Sequence, residues 1–241
     1  MAVQRPMNMA ASTVNPCATC AVRGMALCAP LEGSELEKLN GIVTHLRLEA
    51  EASAFYEGDP AEFIFNVTAG CVRLSKMMAD GRRQITGFLF PGDFFGLAFD
   101  RSYTYSAEAV SNVQLCRFPR AKLEALLREF PKLEHRLLSM AANELVTAQD
   151  HMLMLGRKTA AERVASFLVS LARRAGRAGR RESPIELPMN RTDIADHLGL
   201  TIETVSRTFT QLRKAKLIYL GDAKHVTVLD RPKLDGIATG A

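Results

Sequence analysis

The pattern of apolar and polar residues changes character several times along the chain. Residues 1–33 are rich in Ala, Cys, Pro and Met, show no clear periodicity, and read as a loop-rich segment. In "GSELEKLNGIV", Ser34 can act as an N-cap with Glu37 three residues on, so a short helix is expected. From about His45 to Phe118, short β-rich runs such as "FIFNVTAGCVRLSKMMADGRRQITGFLFPGDFFG" alternate with turn residues at Glu57–Pro60, Ala69–Gly70, Asp80–Gly81 and Pro91–Asp93. Short strands at a spacing of about 8–12 residues predict an antiparallel sandwich or roll.

From Pro119 the period becomes helical. "RAKLEALLREF" is a short amphipathic piece, and Pro131 to Leu155 a longer one, about 37 Å at the helical rise. Along it Leu137, Ala141, Leu145, Ala148, Met152 and Leu155 recur at steps of three and four, the seam of a coiled coil. A core helix lying on the roll would show a similar stripe, but the length and the small seam residues favour helix–helix dimerisation. "KTAAERVASFLVSLARRAG" predicts a further helix, "RAGRAGRRESP" a basic loop and "IELPMN" a strand.

The stretch "NRTDIADHLGLTIETVSRTFTQLRKAKLIYL" carries its own punctuation. Asn190 can cap a short helix with Asp193 at its third position, and Gly199 can close it in the left-handed conformation. Thr201 caps a second helix, where Ile202, Val205, Phe209 and Leu212 form an apolar face and Glu203, Ser206, Arg207 and Thr210 lie opposite. Two helices joined by a short Gly turn are the helix-turn-helix signature. "KLIYLGDAKHVTVLD" adds two short strands about a Gly-Asp turn, a wing. This geometry places the N-terminal end of the second helix in the major groove of double-stranded DNA. There Arg207 can read guanine, Glu203 can accept from cytosine, and Ser206 is a short adaptable contact. A surface pair between Glu203 and Arg207 is the plainer alternative.

Charge strengthens the DNA reading. The 241 residues carry a net +5, but residues 1–156 balance at −2 (15 Lys+Arg, 17 Asp+Glu) and residues 157–241 at +7 (16 against 9). A basic module on a near-neutral one suits a polyanionic partner. No apolar run reaches membrane-spanning length, and the N-terminus lacks the apolar core of a secretory signal, so a cytoplasmic location is expected. No P-loop, G-x-S-x-G or H-E-x-x-H motif is present, and the five histidines show no metal-binding spacing, so no enzyme activity is expected.

The remaining chemistry lies in "CATCAVRGMALC", which holds three of the five cysteines, Cys17, Cys20 and Cys28. An odd number in a reducing compartment does not suit a disulfide framework, which leaves metal binding or redox sensing. Of the other two, Cys71 sits mid-strand in "GCVRLSK", where a free cysteine usually acts as a small core hydrophobe.

A β-roll, a long helix and a C-terminal winged helix-turn-helix together resemble the CRP/FNR superfamily of bacterial transcription regulators. "GDPAEFIFNVTAGCVRL", "GRRQITGFLFPGDFFG", "RKTAAERVASFLVSLARR" and "LGLTIETVSR" carry the resemblance, which covers nearly the whole chain. It implies an α+β fold: an N-terminal antiparallel β-roll of the cyclic-nucleotide-binding kind, a dimerisation helix and a DNA-binding domain. The corresponding segments are residues 1–33 (cysteine-rich), 34–130 (roll), 131–156 (helix) and 157–241 (winged helix-turn-helix). The spacing Cys17-x2-Cys20-x7-Cys28, with Cys116 in "SNVQLCRFP", resembles oxygen-sensing FNR members of the α-proteobacterial type; the enterobacterial type has a shorter gap before the third cysteine. That likeness implies an oxygen-labile [4Fe–4S] cluster on Cys17, Cys20, Cys28 and Cys116, with zinc as the alternative metal. It also implies a homodimer, palindromic DNA with TTGAT-like half-sites, and an RNA polymerase contact near Gly81 and Arg82; Arg213 and Lys214, farther along the second helix, are expected to touch phosphates. Ile202, in the place of an additional Arg of cyclic-AMP-type relatives, is expected to face the core. Those relatives also carry a Glu and an Arg-Ser pair after the equivalent of "PGDFFG"; here Arg101-Ser102 comes too early, so no cyclic nucleotide is expected.

Overall fold

The computed structural model describes residues 16–98, 100–222 and 224–240; the first fifteen residues of the cysteine-rich segment lie outside them. The chain divides into two compact units, one reaching to Leu74 and resuming over Phe88–Asn143, the other holding Ser75–Gly87 and everything from Glu144.

In the first unit, tight turns over 16–31 lead into helix α1 (Gly33–Asn40). Its cap lies two residues earlier than Ser34: Glu32 and Glu35 form the capping box, each carboxylate accepting from the other's backbone N–H. Eight strands follow among the described residues: β1 (Thr44–Leu48), β2 (Ser53–Phe55), β3 (Phe63–Ala69), β4 (Val72–Met77), β5 (Arg83–Leu89), β6 (Phe94–Phe95), β7 (Ser106–Ala109) and β8 (Val113–Pro119). Three of the expected turns fall between strands, and at the fourth Ala69 ends β3 and Gly70 leads into β4. The strands pair into two sheets, β1-β8-β3-β6 and β2-β7-β4-β5, the roll that the alternation predicted.

The first sheet is covered on both faces. Phe65, Val67, Val113 and Leu115 point into the core of the roll, where they meet Phe55, Val72, Leu74 and Tyr103. Because side chains alternate along a strand, Ile64, Cys116 and Phe118 point the other way. There they form a second core with Leu27 and Leu31 of the turns, Leu36 and Leu39 of α1, Leu123 and Leu126 of α2 (Arg120–Glu129), and Leu133 of α3 (Pro131–Arg157).

In the second unit, α4 (Ala160–Arg177) starts on a capping box between Thr159 and Glu162 and buries Val164, Phe167, Leu168, Leu171 and Ala172. Strand β9 (Ile185–Glu186) is shorter than "IELPMN" suggested. Helices α5 (Arg191–Leu198) and α6 (Ile202–Lys214) precede β10 (Ile218–Leu220), β11 (His225–Val228) and α7 (Arg231–Thr239), and β10-β11-β9 form a small antiparallel sheet.

Candidate functional site

Strand β8 runs between β1 and β3, and the register sets Cys116 opposite His45 on one side and Asn66 on the other. Cys116 thus faces the turns of 16–31, where Cys17, Cys20 and Cys28 reside. All four cysteines line one cavity of about 280 Å³, together with Leu39, His45, Asn66, Thr68 and Phe118. Cys17 Sγ donates to Asn40 Oδ1 at 3.4 Å, and Cys116 Sγ lies 3.9 Å from His45 Nδ1.

The loop is held by polar anchors. Buried Asn66 accepts from Leu27 N–H at 3.3 Å and donates to the Val67 carbonyl at 3.1 Å. Arg23 donates to the Leu31 carbonyl at 2.7 Å. Gly92, at φ +102°, lets the turn after β5 approach the loop so closely that a Cβ there would stand 2.9 Å from Met25 Cβ.

The thiols sense one another. Burial, then the charges of Cys17, Cys20 and Cys28, pushes Cys116 up to about 12. Burial, then Cys28 and Cys20, pushes Cys17 up to about 11, against the pull of Arg23. Burial, then Cys20, also raises Cys28. A metal entering here must displace protons to obtain its thiolates. No three His, Cys, Asp or Glu among the described residues converge closely enough to hold a single metal ion. The four sulfurs that line the cavity are a donor set that either a [4Fe–4S] cluster or a tetrahedral zinc can take. Arg23 Nε, buried in the loop with no hydrogen-bond partner, adds cationic character that suits an anionic occupant. Cys71 is elsewhere, in the turn just before β4 rather than within a strand; it is 1% exposed and its N–H donates to Ser111 Oγ.

The second unit holds the helix pair. Asn190 Oδ1 accepts from Asp193 N–H at 2.9 Å, and Gly199 closes α5 at φ +61°. The inter-helix turn is clamped by Arg163, which donates to the carbonyls of Leu198 (2.9 Å), Gly199 (3.3 Å) and Leu155 (2.8 Å). Thr201 Oγ1 accepts from Thr204 N–H to start α6, which buries Val205, Thr208, Phe209 and Leu212. Glu203, Ser206, Arg207, Arg213 and Lys214 are exposed. The Glu203 carboxyl is held below its usual range by its own backbone N–H and then the Thr201 hydroxyl. Ile202 does not face the core. It is 41% exposed, because at the first position of α6 its side chain projects beyond the buried stripe of Val205, Phe209 and Leu212.

On α3, Ala148, Leu145 (60% exposed) and Met152 (64%) lie open, but Leu137 and Ala141 are part-buried. Leu137 packs on the core beneath the cysteine loop, and Leu155 reaches within 3.2 Å of where a Gly199 Cβ would stand. The open apolar stripe instead takes in Leu138, Val146 and Leu153. Gly81 and Arg82 are exposed at the turn between β4 and β5, where Arg82 pairs with Asp80 at 2.8 Å. Sequence reasoning passed over Asn66 and Arg23. An Asn inside the apolar run "FIFNVTAG" was the available signal for the first.

Comparison with known proteins covers both units. Residues 45–130 match the cyclic nucleotide-binding domain family and residues 162–237 the Crp-like helix-turn-helix domain family. The chain is 42% identical to the transcriptional activatory protein AadR of Rhodopseudomonas palustris over 91% of both chains. It is 37% identical to the transcriptional activator protein FnrL of Cereibacter sphaeroides over 90% of both. The structure of FixK2 from Bradyrhizobium japonicum superposes with a TM-score of 0.77 at 38% identity, covering 81% of this chain and 97% of that one.

Proposed function

Since the chain belongs to the CRP/FNR superfamily of transcription regulators, we propose that it is an oxygen-responsive activator that binds palindromic DNA as a homodimer while its four cavity cysteines hold a [4Fe–4S] cluster. The observation that carries this reading is the convergence of Cys17, Cys20, Cys28 and Cys116 on one cavity. Bound there, the cluster would supply iron–thiolate bonds that oxygen can break. The protein's part is to bring three sulfurs on a loop to a fourth on a strand, so that ligation fastens loop to sheet. Iron and sulfide analysis of protein purified without oxygen tests the assignment: both should be present in stoichiometric amount, and a colourless zinc protein would overturn it.

On DNA, Arg207 reads the guanine of a TTGAT-like half-site, Glu203 and Ser206 contact neighbouring bases, and Arg213 and Lys214 lie along the phosphates. Exposed Ile202 adds an apolar surface suited to a thymine methyl. Arg207→Ala should cost about 1–3 kcal/mol on the specific site and relax preference at the guanine. Competition titrations against random DNA check this; equal weakening on both would remove Arg207 from base reading.

The open stripe of α3 serves as the dimer seam. Ala148→Glu sets two like charges against a partly desolvated contact and should shift the protein towards monomer, lowering DNA affinity with each unit still folded. Sedimentation of the variant reads the outcome; an unchanged dimer would move the seam elsewhere. Exposed Gly81 and Arg82 are proposed to touch RNA polymerase.

A further inference from the structure

Arg136 lies in the second turn of α3, part-buried, and reaches into the cysteine loop. Its Nη2 donates to the Met25 carbonyl at 2.5 Å and its Nε to the Ala26 carbonyl at 3.4 Å. Both carbonyls lie between Cys20 and Cys28. They stand side by side because the loop turns tightly there, with Met25 and Ala26 N–H groups both donating to the Val22 carbonyl at 3.0 Å. Around Arg136, α3 shows two different faces. Leu133 is fully buried, and Leu137 and Met140 pack on the core that includes Leu27 and Leu31; Leu138 is 68% exposed. The side of α3 that grips the loop thus adjoins the side left open.

We propose that Arg136 is the positioning residue through which the cysteine loop sets the presentation of α3 for dimerisation. The inference rests on the reading that the cysteines hold a cluster and names the chain's own link from that site to the helix. A planar guanidinium needs two acceptors in a fixed relation. The Met25 and Ala26 carbonyls keep that relation while Cys20 and Cys28, on either side, are both ligated. Once the two sulfurs are released, the turns between them are free to open and the fork loses one acceptor. Lys132, pairing with Glu35 of α1 at 2.6 Å, touches α1 rather than the loop, so it does not follow the state of the cysteines.

The test uses full-length protein prepared without oxygen, as wild type, Arg136→Gln and Arg136→Lys. Iron, sulfide and the visible spectrum report the cluster, and sedimentation before and after air reports the dimer. Arg136→Gln should stay brown with wild-type iron, yet its dimerisation constant should gain about tenfold less from the intact cluster than wild type does, which corresponds to about 1.4 kcal/mol. Arg136→Lys, which keeps the charge and stem without the fork, should fall between them, and carries the comparison if Arg136→Gln does not fold. A brown variant with the full wild-type gain overturns the proposal alone. A folded variant that has lost its iron makes Arg136 a support of the loop and also overturns it. An iron-free wild type overturns the cluster reading itself, and with it the role given to Arg136.

Discussion

Cys116→Ser protein prepared without oxygen should be colourless, and Cys71→Ser protein brown. The two substitutions are chemically identical, so their difference isolates position. Cys116 is the one cavity cysteine carried by a strand, fixed between β1 and β3 by a register that leaves its sulfur facing the loop. A serine hydroxyl there offers a poor soft ligand, and three sulfurs on the loop alone do not tie it to the sheet. Serine at Cys17, Cys20 or Cys28 should fail in the same way. At Cys71, 1% exposed and away from the cavity, the cost falls on folding: burying a hydroxyl in place of a thiol should remove about 1–2 kcal/mol. Iron per chain and the visible spectrum decide the matter. A brown Cys116→Ser with a colourless Cys71→Ser would move the fourth ligand to Cys71.

What could be read from the sequence divides by the range of the interactions involved. The helix-turn-helix is local: Asn190, Gly199 and Thr201 fix its ends within a dozen residues, and each sits in the structure as its chemistry requires. The roll was legible from turn residues for the same reason. The cap of α1 was displaced because Glu32 and Glu35 repeat the box spacing of Ser34 and Glu37, and local pattern does not choose between the two frames. Ile202 fits the periodicity of the buried stripe and is nevertheless exposed, because periodicity carries no information about where a helix outruns its neighbour. On α3 the periodicity does not tell which apolar residues turn to the helix's own core and which stay open, since one helix shows both: Leu137 packs inward and Leu138 is exposed. The cavity was the least legible feature. Asn66 and His45 become neighbours of Cys116 only through strand pairing across 50 and 71 positions, and the grip of Arg136 on the loop spans more than a hundred.

Arg83→Met should destabilise the second unit by about 2–3 kcal/mol, below the range of about 3–5 for a fully buried pair. Arg83 opens β5, in the segment that belongs to this unit, and its guanidinium meets both acids on one face of α5: Nη2 to Asp193 Oδ1 at 2.8 Å and Nε to Asp196 Oδ2 at 2.8 Å. The Asp193 side chain is 2% exposed and accepts from the Asn190 N–H at 3.4 Å at the α5 N-terminus, so losing Arg83 takes away the guanidinium that faces a desolvated carboxylate. His197, one residue beyond Asp196, is no substitute cation: burial, then His151, pushes it down to about 4, despite its hydrogen bond to the Ile85 carbonyl. The side chain of Arg83 is itself 22% exposed, which places the cost below that of a sealed pair. Removing the stranded charge should therefore restore most of the loss, so Arg83→Met with Asp193→Asn should unfold closer to wild type than Arg83→Met alone. Denaturant unfolding followed by circular dichroism, with hydrogen exchange of the α5 amides, measures both. An unchanged midpoint for Arg83→Met would show that the pair contributes nothing to holding α5. The neighbouring Arg82, 72% exposed and paired with exposed Asp80, gives the contrast: Arg82→Ala should change stability by no more than about 0.5 kcal/mol. A loss of transcription in Arg82→Ala at unaltered DNA affinity would then come from the surface it presents, whereas the effects of Arg83 run through the first helix of the DNA-reading pair.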